Sequence, residues 1–393
     1  MSKLNLLMLN FEYPPIGGGA GYAHLAILKQ YANHSNLKID VLTSAPKPGH
    51  FAEKFSENIT VYKVGLHKKD LHFWRKSEVI EWLVKAQFHY RKLLRENDYD
   101  LVHAFFGFPT GWLCYRTANK LPYIISLRGS DVPGQHARLK LDYKILTPVF
   151  GAIWKKAAAL VACSEGLKSR ALRFLPSALI DVIPNGVDLD RFRPAEDARI
   201  SDVLRLLTVG RLSVTKRVEM LIDAVHILKD DGFNVRFTIV GGGQIEQNLR
   251  QIVAEKNLSD VVEITGRLDS ERMPQVYRQN DIFISASMQE GMSNAMLEAM
   301  ACGLPIVTTR CEGVQELVAD NGIVVERAQA EEIAEAIRKL ARDQQSYRQM
   351  SCASRKRAAQ FSWSSVANQY IECYKKVLTN KNFGSLDFAR DKF

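Results

Sequence analysis

Short apolar, β-branched runs alternate with longer amphipathic stretches along most of the 393 residues, the pattern that successive β–α–β units impose. In the first half it predicts strands over 4–9, 39–42, 59–63, 101–104, 123–127, 159–162 and 180–183. Pro184-Asn185-Gly186 breaks the pattern, and the polar run 187–194 reads as a connector between domains. A second series predicts strands over 204–209, 235–240, 262–265, 282–285, 305–308 and 322–325. Helices are expected between them over 217–228, 244–255, 273–280, 295–301 and 330–343, with a last helix over 363–378 and a polar tail beyond it. Two consecutive doubly wound parallel sheets are the simplest α/β architecture for this order. Such sheets bind ligands outside the carboxyl ends of their strands, so function is expected in the strand-to-helix loops.

The apolar run at the N-terminus is short, is broken by Asn5 and has no small-residue cleavage site after it, so it reads as a buried first strand and not as a signal peptide. No run of about 20 apolar residues is present to span a bilayer. The six cysteines are scattered without a Cys-x-x-Cys pair, as expected of reduced thiols in a cytoplasmic protein. Charge is uneven: residues 1–185 hold 25 Lys+Arg against 14 Asp+Glu, a net of +11 within a whole-chain total of +10. Such an excess favours an anionic lipid surface, a phosphorylated acceptor or nucleic acid, or is simply a solubility bias. No nucleic-acid recognition motif accompanies it.

Two loops hold the unusual residues. The first, 12–21, contains Gly17-Gly18-Gly19 and leads into a helix near 22–31. It fits either an anion-binding loop, with backbone N–H groups and a helix dipole aimed at the ligand, or a tight turn. The second, 289–305, places Glu290 and Glu298 eight positions apart. Gly291 permits a turn, Asn294 is set to cap the helix, and Glu298 lies about one turn inside it. Carboxylates directed at a site suit sugar or ribose hydroxyls, whereas two solvated glutamates beside a helix start are the plain alternative.

The stretch from Glu290 to Pro305 resembles the Glu-x7-Glu signature of retaining glycosyltransferases of the GT-B fold, the glycogen-synthase-like group of the family 4 type. Val209 to Lys216, the Pro184–Asp188 connector, the glycine-rich first loop and Phe361-Ser362-Trp363 are similar to the same family in the same order. The resemblance implies two Rossmann-like domains facing a central cleft: an acceptor-side domain over 1–185, a nucleotide-sugar donor domain over 186–360, and a C-terminal helix and tail over 361–393 crossing back to the first. By the same resemblance Arg211 and Lys216 grip the donor diphosphate, Glu290 contacts the transferred sugar, and Glu298 holds the ribose. Backbone around Gly291, Met292, Ser293, Asn294 and Ala295 meets sugar and phosphate. Gly18 and Gly19 approach from the other domain, and Arg267 and Leu268 flank the base. Gly241-Gly242-Gly243 is expected to be a structural turn.

One departure is notable. Arg128 stands where many members carry His, and a guanidinium cannot exchange a proton at neutral pH. Arg128 is therefore expected to stabilise negative charge, with His103 and Asp131 as candidates on the acceptor side. The implied activity is retaining transfer of a hexose from a nucleotide-diphosphate sugar, a UDP-sugar before a GDP-sugar, to a glycan, lipid-linked or other envelope acceptor, with no metal or other cofactor. Paired basic residues interleaved with Trp74, Trp82, Phe88, Trp112 and Trp154 imply peripheral contact with an anionic membrane face. Other GT-B enzymes, such as a nucleotide-sugar epimerase or a phosphorylase, and a non-catalytic nucleotide-sugar-binding protein are the alternatives.

Overall fold

A computed structural model of the chain describes residues 3–134, 140–195 and 202–379, the side chains of 140–145 excepted. The chain is α/β and divides into two compact units, one of Met1–Asn185 together with the chain from Trp363, the other of Gly186–Ser362.

The first unit runs β1 (Leu4–Leu9), α1 (Gly19–Tyr31), β2 (Leu37–Ala45), β3 (His50–Ser56), β4 (Ile59–Gly65), α2 (Lys76–Glu96), β5 (Leu101–Phe105), α3 (Thr110–Tyr115), β6 (Tyr123–Leu127), α4 (Lys140–Lys156), β7 (Ala159–Ala162), α5 (Glu165–Phe174) and β8 (Ile180–Val182). The strands lie in the order β3-β4-β2-β1-β5-β6-β7-β8. All are parallel except β3, which pairs antiparallel with β4. Central strands such as β5 and β6 are buried along their whole length, which is why their sequences are continuous apolar runs and not alternations. The edge strand β3 is mostly exposed, and Phe51 and Phe55 on one of its faces are separated by Glu53, so its pattern is hard to tell from a loop.

A final helix, α13 (Trp363–Thr379), packs on α1 within this unit. A buried polar chain fastens it. The Tyr31 hydroxyl donates to Tyr374 Oη at 3.1 Å, His103 Nδ1 meets the same oxygen at 2.8 Å, His103 Nε2 meets Ser126 Oγ at 2.7 Å, and Ser126 Oγ meets Tyr370 Oη at 2.8 Å. The polar tail expected after the last helix lies outside the described residues.

The second unit runs β9 (Leu204–Val209), α6 (Val218–Asp230), β10 (Val235–Val240), α7 (Glu246–Glu255), β11 (Val262–Gly266), α8 (Met273–Arg278), β12 (Ile282–Ser285), α9 (Asn294–Ala301), β13 (Ile306–Thr309), α10 (Val314–Leu317), β14 (Gly322–Val325), α11 (Ala330–Arg342) and α12 (Gln344–Ala358). Its six strands are all parallel in the order β11-β10-β9-β12-β13-β14, reversing between β9 and β12. Helix α12 has no long apolar stripe. It buries Tyr347, Ser351, Ser354 and Ala358 at helical spacing, mostly small groups that allow close approach. Its Arg355 donates to the carbonyls of Phe192 and Ala301, each at 2.8 Å, and of Leu189 at 3.1 Å. The connector 187–194 is thereby held on the second unit, and the Val187 amide, bonded to the Phe361 carbonyl at 2.7 Å, keeps the unit intact up to Ser362. Among the described residues no helix is long and apolar enough to cross a membrane.

Candidate active site

In the second unit the chain winds away in opposite senses from β9 and β12, which opens a crevice beyond their carboxyl ends, where doubly wound sheets bind ligands. Its walls include Gly210, Arg211, Lys216, Ser285, Ser287 and Glu290.

The loop after β9 is shaped from the side by glycines. Gly241 has φ +138°, and a Cβ there would lie 1.8 Å from the Gly210 carbonyl oxygen; one on Gly243 would lie 2.1 Å from that of Leu212. Only glycine lets the two backbones approach so closely. The expected structural turn at 241–243 therefore also moulds the crevice, and the Leu212 amide donates to the Gly242 carbonyl at 3.1 Å. On the other side Gly313, at φ +78°, brings the loop after β13 against Gly291 and Met292.

Lys216 forms an ion pair with Glu290, whose Oε1 also accepts from Ser287 Oγ at 3.1 Å. The neighbouring Arg217 is left-handed at φ +48°, unusual for a long side chain. Its Nε donates to the Ala286 carbonyl at 2.7 Å and its Nη2 to Thr309 Oγ1 at 3.3 Å. The Met288 amide donates to the Thr215 carbonyl at 2.8 Å, so the loops after β9 and β12 are tied together on both sides of Lys216. In the sequence Arg217 reads only as the start of the following helix. Its positive φ and its reach to two other loops leave no trace in residue type, so no sequence signal marks it.

Arg211 is exposed and makes no hydrogen bond or ion pair among the described residues. Asn294 is not the cap of α9. Ser293 is, its Oγ accepting the Met296 amide at 3.3 Å, and Asn294 and Ala295 form the first turn with Met292 buried before them. Glu298 stands apart from the Lys216–Glu290 pair, where its Oε2 accepts from the Tyr277 hydroxyl at 2.8 Å. Burial pushes its carboxyl up to about 7, against the opposing pull of that hydrogen bond and of Arg191. Arg267 is exposed and lies over Gly242; Leu268 beside it is half-buried. Two Asp-x-Asp spacings serve local structure: Asp100 Oδ2 accepts the Asn5 amide at 2.8 Å, and Asp188 Oδ1 accepts the amides of Asp190 at 3.2 Å and Arg191 at 3.0 Å.

The first unit has its own reversal, between β1 and β5. Its glycine-rich loop is folded on Glu12, whose Oε2 accepts the Gly18 amide at 3.2 Å, while Gly17, at φ +92°, donates its amide to the Leu71 carbonyl at 2.8 Å. Gly19 opens α1. At the end of β6, Arg128 Nη1 donates to Asn185 Oδ1 at 2.8 Å and its guanidinium lies 4.8 Å from the Phe105 ring centroid. His24 and His103 stack on the same ring at 4.3 and 4.5 Å. His103 is wholly buried with both ring nitrogens bonded, and burial holds its pKa well below the usual imidazole value, so it anchors α13 and offers no exposed atom to an acceptor. Asp131 is likewise internal, accepting the amides of Gly107 at 2.7 Å, Arg128 at 2.9 Å and Gly129 at 3.0 Å, so it sets the course of two loops.

Two family models match the chain: glycosyltransferase family 4 over residues 17–191 and glycosyl transferases group 1 over residues 193–357. The chain is 28% identical to the alpha-maltose-1-phosphate synthase of Mycobacterium tuberculosis, over 95% of this chain and all of that one. In fold it is similar to a sucrose-phosphate synthase from Thermosynechococcus elongatus, with TM-score 0.82, 21% identity, and coverage of 95% of this chain and 99% of that one. It is also similar to HepE of Anabaena, solved with UDP and glucose, with TM-score 0.72, 20% identity, and coverage of 95% and 99%. With two parallel-sheet units and both family models in sequence along it, the chain is a glycosyltransferase of the GT-B type.

Proposed function

We propose that the protein is a retaining hexosyltransferase that takes a nucleotide-diphosphate sugar, a UDP-sugar before a GDP-sugar, at the crevice between β9 and β12. The observation that carries this is the unpaired, exposed Arg211 on the same loop as Lys216, beside the amino end of α9. Departure of a nucleoside diphosphate develops negative charge; Arg211 and the amino end of α9 are suited to stabilise it without a metal ion, and Lys216 joins them when phosphate replaces Glu290 as its partner. In this reading Glu298, whose carboxyl burial pushes up to about 7, receives ribose hydroxyls, and Glu290 receives the hydroxyls of the sugar. Anabaena HepE, solved with UDP and glucose, and the sugar-phosphate products in the names of the two synthases support a sugar-nucleotide donor.

Among the described residues the crevice presents no unpaired carboxylate as a nucleophile, since Glu290 is engaged by Lys216 and Ser287. In the proposed reaction the acceptor hydroxyl attacks C1 on the face that the leaving diphosphate vacates, the C1–O bond to that phosphate breaks, and the hydroxyl proton passes to the departing phosphate oxygen. The acceptor is a glycan, a lipid-linked sugar or another envelope molecule, and for a lipid-linked acceptor the basic first unit rests on an anionic membrane surface. The test is the anomeric configuration of the transferred sugar, read by NMR from incubations with a panel of sugar nucleotides and acceptors. A retained anomer formed equally well in the presence of a chelator is expected; an inverted anomer contradicts the mechanism.

A further inference from the structure

Helix α2 of the first unit is apolar on two sides. Trp82, Ala86, Tyr90 and Leu93 are buried on one side, which accounts for the inner face. On the outside Ile80, Val84 and Phe88 are 60%, 55% and 67% exposed. Their spacing of four residues stacks them on successive turns, a ridge about 12 Å long at 1.5 Å per residue. Arg91 and Arg95 fall on the same side, since at about 100° per residue all five lie within an arc of about 80°. Both arginines are exposed and make no ion pair among the described residues. The acidic groups of the helix are otherwise engaged: Glu78 is buried against Lys68 at 2.7 Å, Glu81 binds Lys85 at 2.6 Å and His67 at 3.0 Å, and Glu96 lies 3.8 Å from Lys92.

We infer that this ridge is a docking surface for an anionic lipid bilayer, with Ile80, Val84 and Phe88 entering the headgroup boundary and Arg91 and Arg95 meeting lipid phosphates. An apolar ridge flanked by unpaired arginines is the pattern by which interfacial helices bind such surfaces. A second copy of the chain is a poor occupant, because an antiparallel pairing of two such helices sets Arg91 and Arg95 of one near the exposed Arg75 of the other. The tryptophans expected to share in membrane contact do not all do so: Trp82 and Trp154 are core residues, 0% and 2% exposed. This deepens the membrane-facing part of the proposed function and rests on it.

The test is co-sedimentation of the full chain, without sugar nucleotide, with vesicles of phosphatidylcholine alone or with about a third phosphatidylglycerol. Failure here therefore leaves the transferase reading intact. Binding to the anionic vesicles is expected, at least tenfold weaker to the neutral ones, and reduced by salt. The pair Arg91→Gln, Arg95→Gln is expected to weaken it about 25-fold, at about fivefold per basic residue, and the triple change Ile80→Asn, Val84→Asn, Phe88→Asn at least tenfold. Melting temperature and nucleotide binding, read on the same variants, are expected to stay at the wild-type values. Equal binding to both vesicles, binding to neither, or variants that bind like wild type overturns the inference. So does light scattering that shows a dimer lost in the triple variant.

Discussion

The Tyr277 hydroxyl of α8 donates to Glu298 of α9 at 2.8 Å, joining a phenol to a carboxyl that burial has pushed up to about 7. Between its ordinary value near 4.5 and about 7 the native state holds this proton more tightly than the unfolded chain, so the contribution of Glu298 to stability falls as pH rises through that window. Ribose hydroxyls donating to Glu298 favour its ionised form. Nucleotide binding near pH 6 is therefore expected to release a proton, and affinity to rise with pH until the carboxyl is ionised in the free protein. Calorimetry in buffers of different ionisation enthalpy measures the release. Tyr277→Phe removes a bond that favours ionisation and is expected to move the profile to higher pH; an unchanged profile contradicts the assignment.

Arg217 ties the loop after β9 to Ala286 and to Thr309 at the end of β13. Arg217→Ala loses both side-chain bonds but keeps the left-handed backbone, whereas Arg217→Gly loses the same bonds and relieves the backbone. Half-exposed charge-assisted bonds of this kind are expected to cost about 2 kcal/mol together. The glycine variant is expected to be the more stable of the two by about 1 kcal/mol. Both are expected to bind nucleotide more weakly than wild type, because the loop bearing Lys216 loses its tie to Ala286 and Thr309. Denaturant melts and titrations on the pair check this, and an alanine variant more stable than the glycine one counts against it.

Gly241 and Gly232 both have positive φ, at +138° and +83°, but only Gly241 faces backbone. Gly232→Ala has open space and is expected to cost about 1–2 kcal/mol of backbone strain. Gly241→Ala drives a methyl into the Gly210 carbonyl and is expected to cost about 3 kcal/mol or more and to abolish nucleotide binding. Chemical denaturation separates the two, and equal losses would show that the 241–243 loop does not shape the crevice.

Strands buried on both faces are legible in the sequence because continuous apolar runs such as 204–209 and 282–285 have few other uses. The edge strand β3 and helix α12 are not, since one is solvated and the other packs largely through serines and Ala358, leaving no apolar period. The cluster of Gly291, Ser293 and Glu298 is visible as a motif, but the cap falls to Ser293 because its hydroxyl, one residue before Asn294, reaches the Met296 amide. His103 and Asp131 stand out as polar residues near strand ends. Their hydrogen bonds run to Tyr374 and Ser126 and to the amides of Gly107, Arg128 and Gly129, partners remote in sequence or on the backbone, which residue type alone does not disclose.

The central claim is that a nucleoside diphosphate binds between β9 and β12, and titration calorimetry of UDP, GDP, ADP and CMP against wild type, Arg211→Ala and Glu298→Ala tests it most directly. One diphosphate, UDP first, is expected to bind at micromolar strength, and each variant to lose about 1–3 kcal/mol of that affinity. Arg211→Ala is expected to melt like wild type, because its side chain has no partner among the described residues. Tight diphosphate binding that neither substitution weakens would contradict the placement of the site.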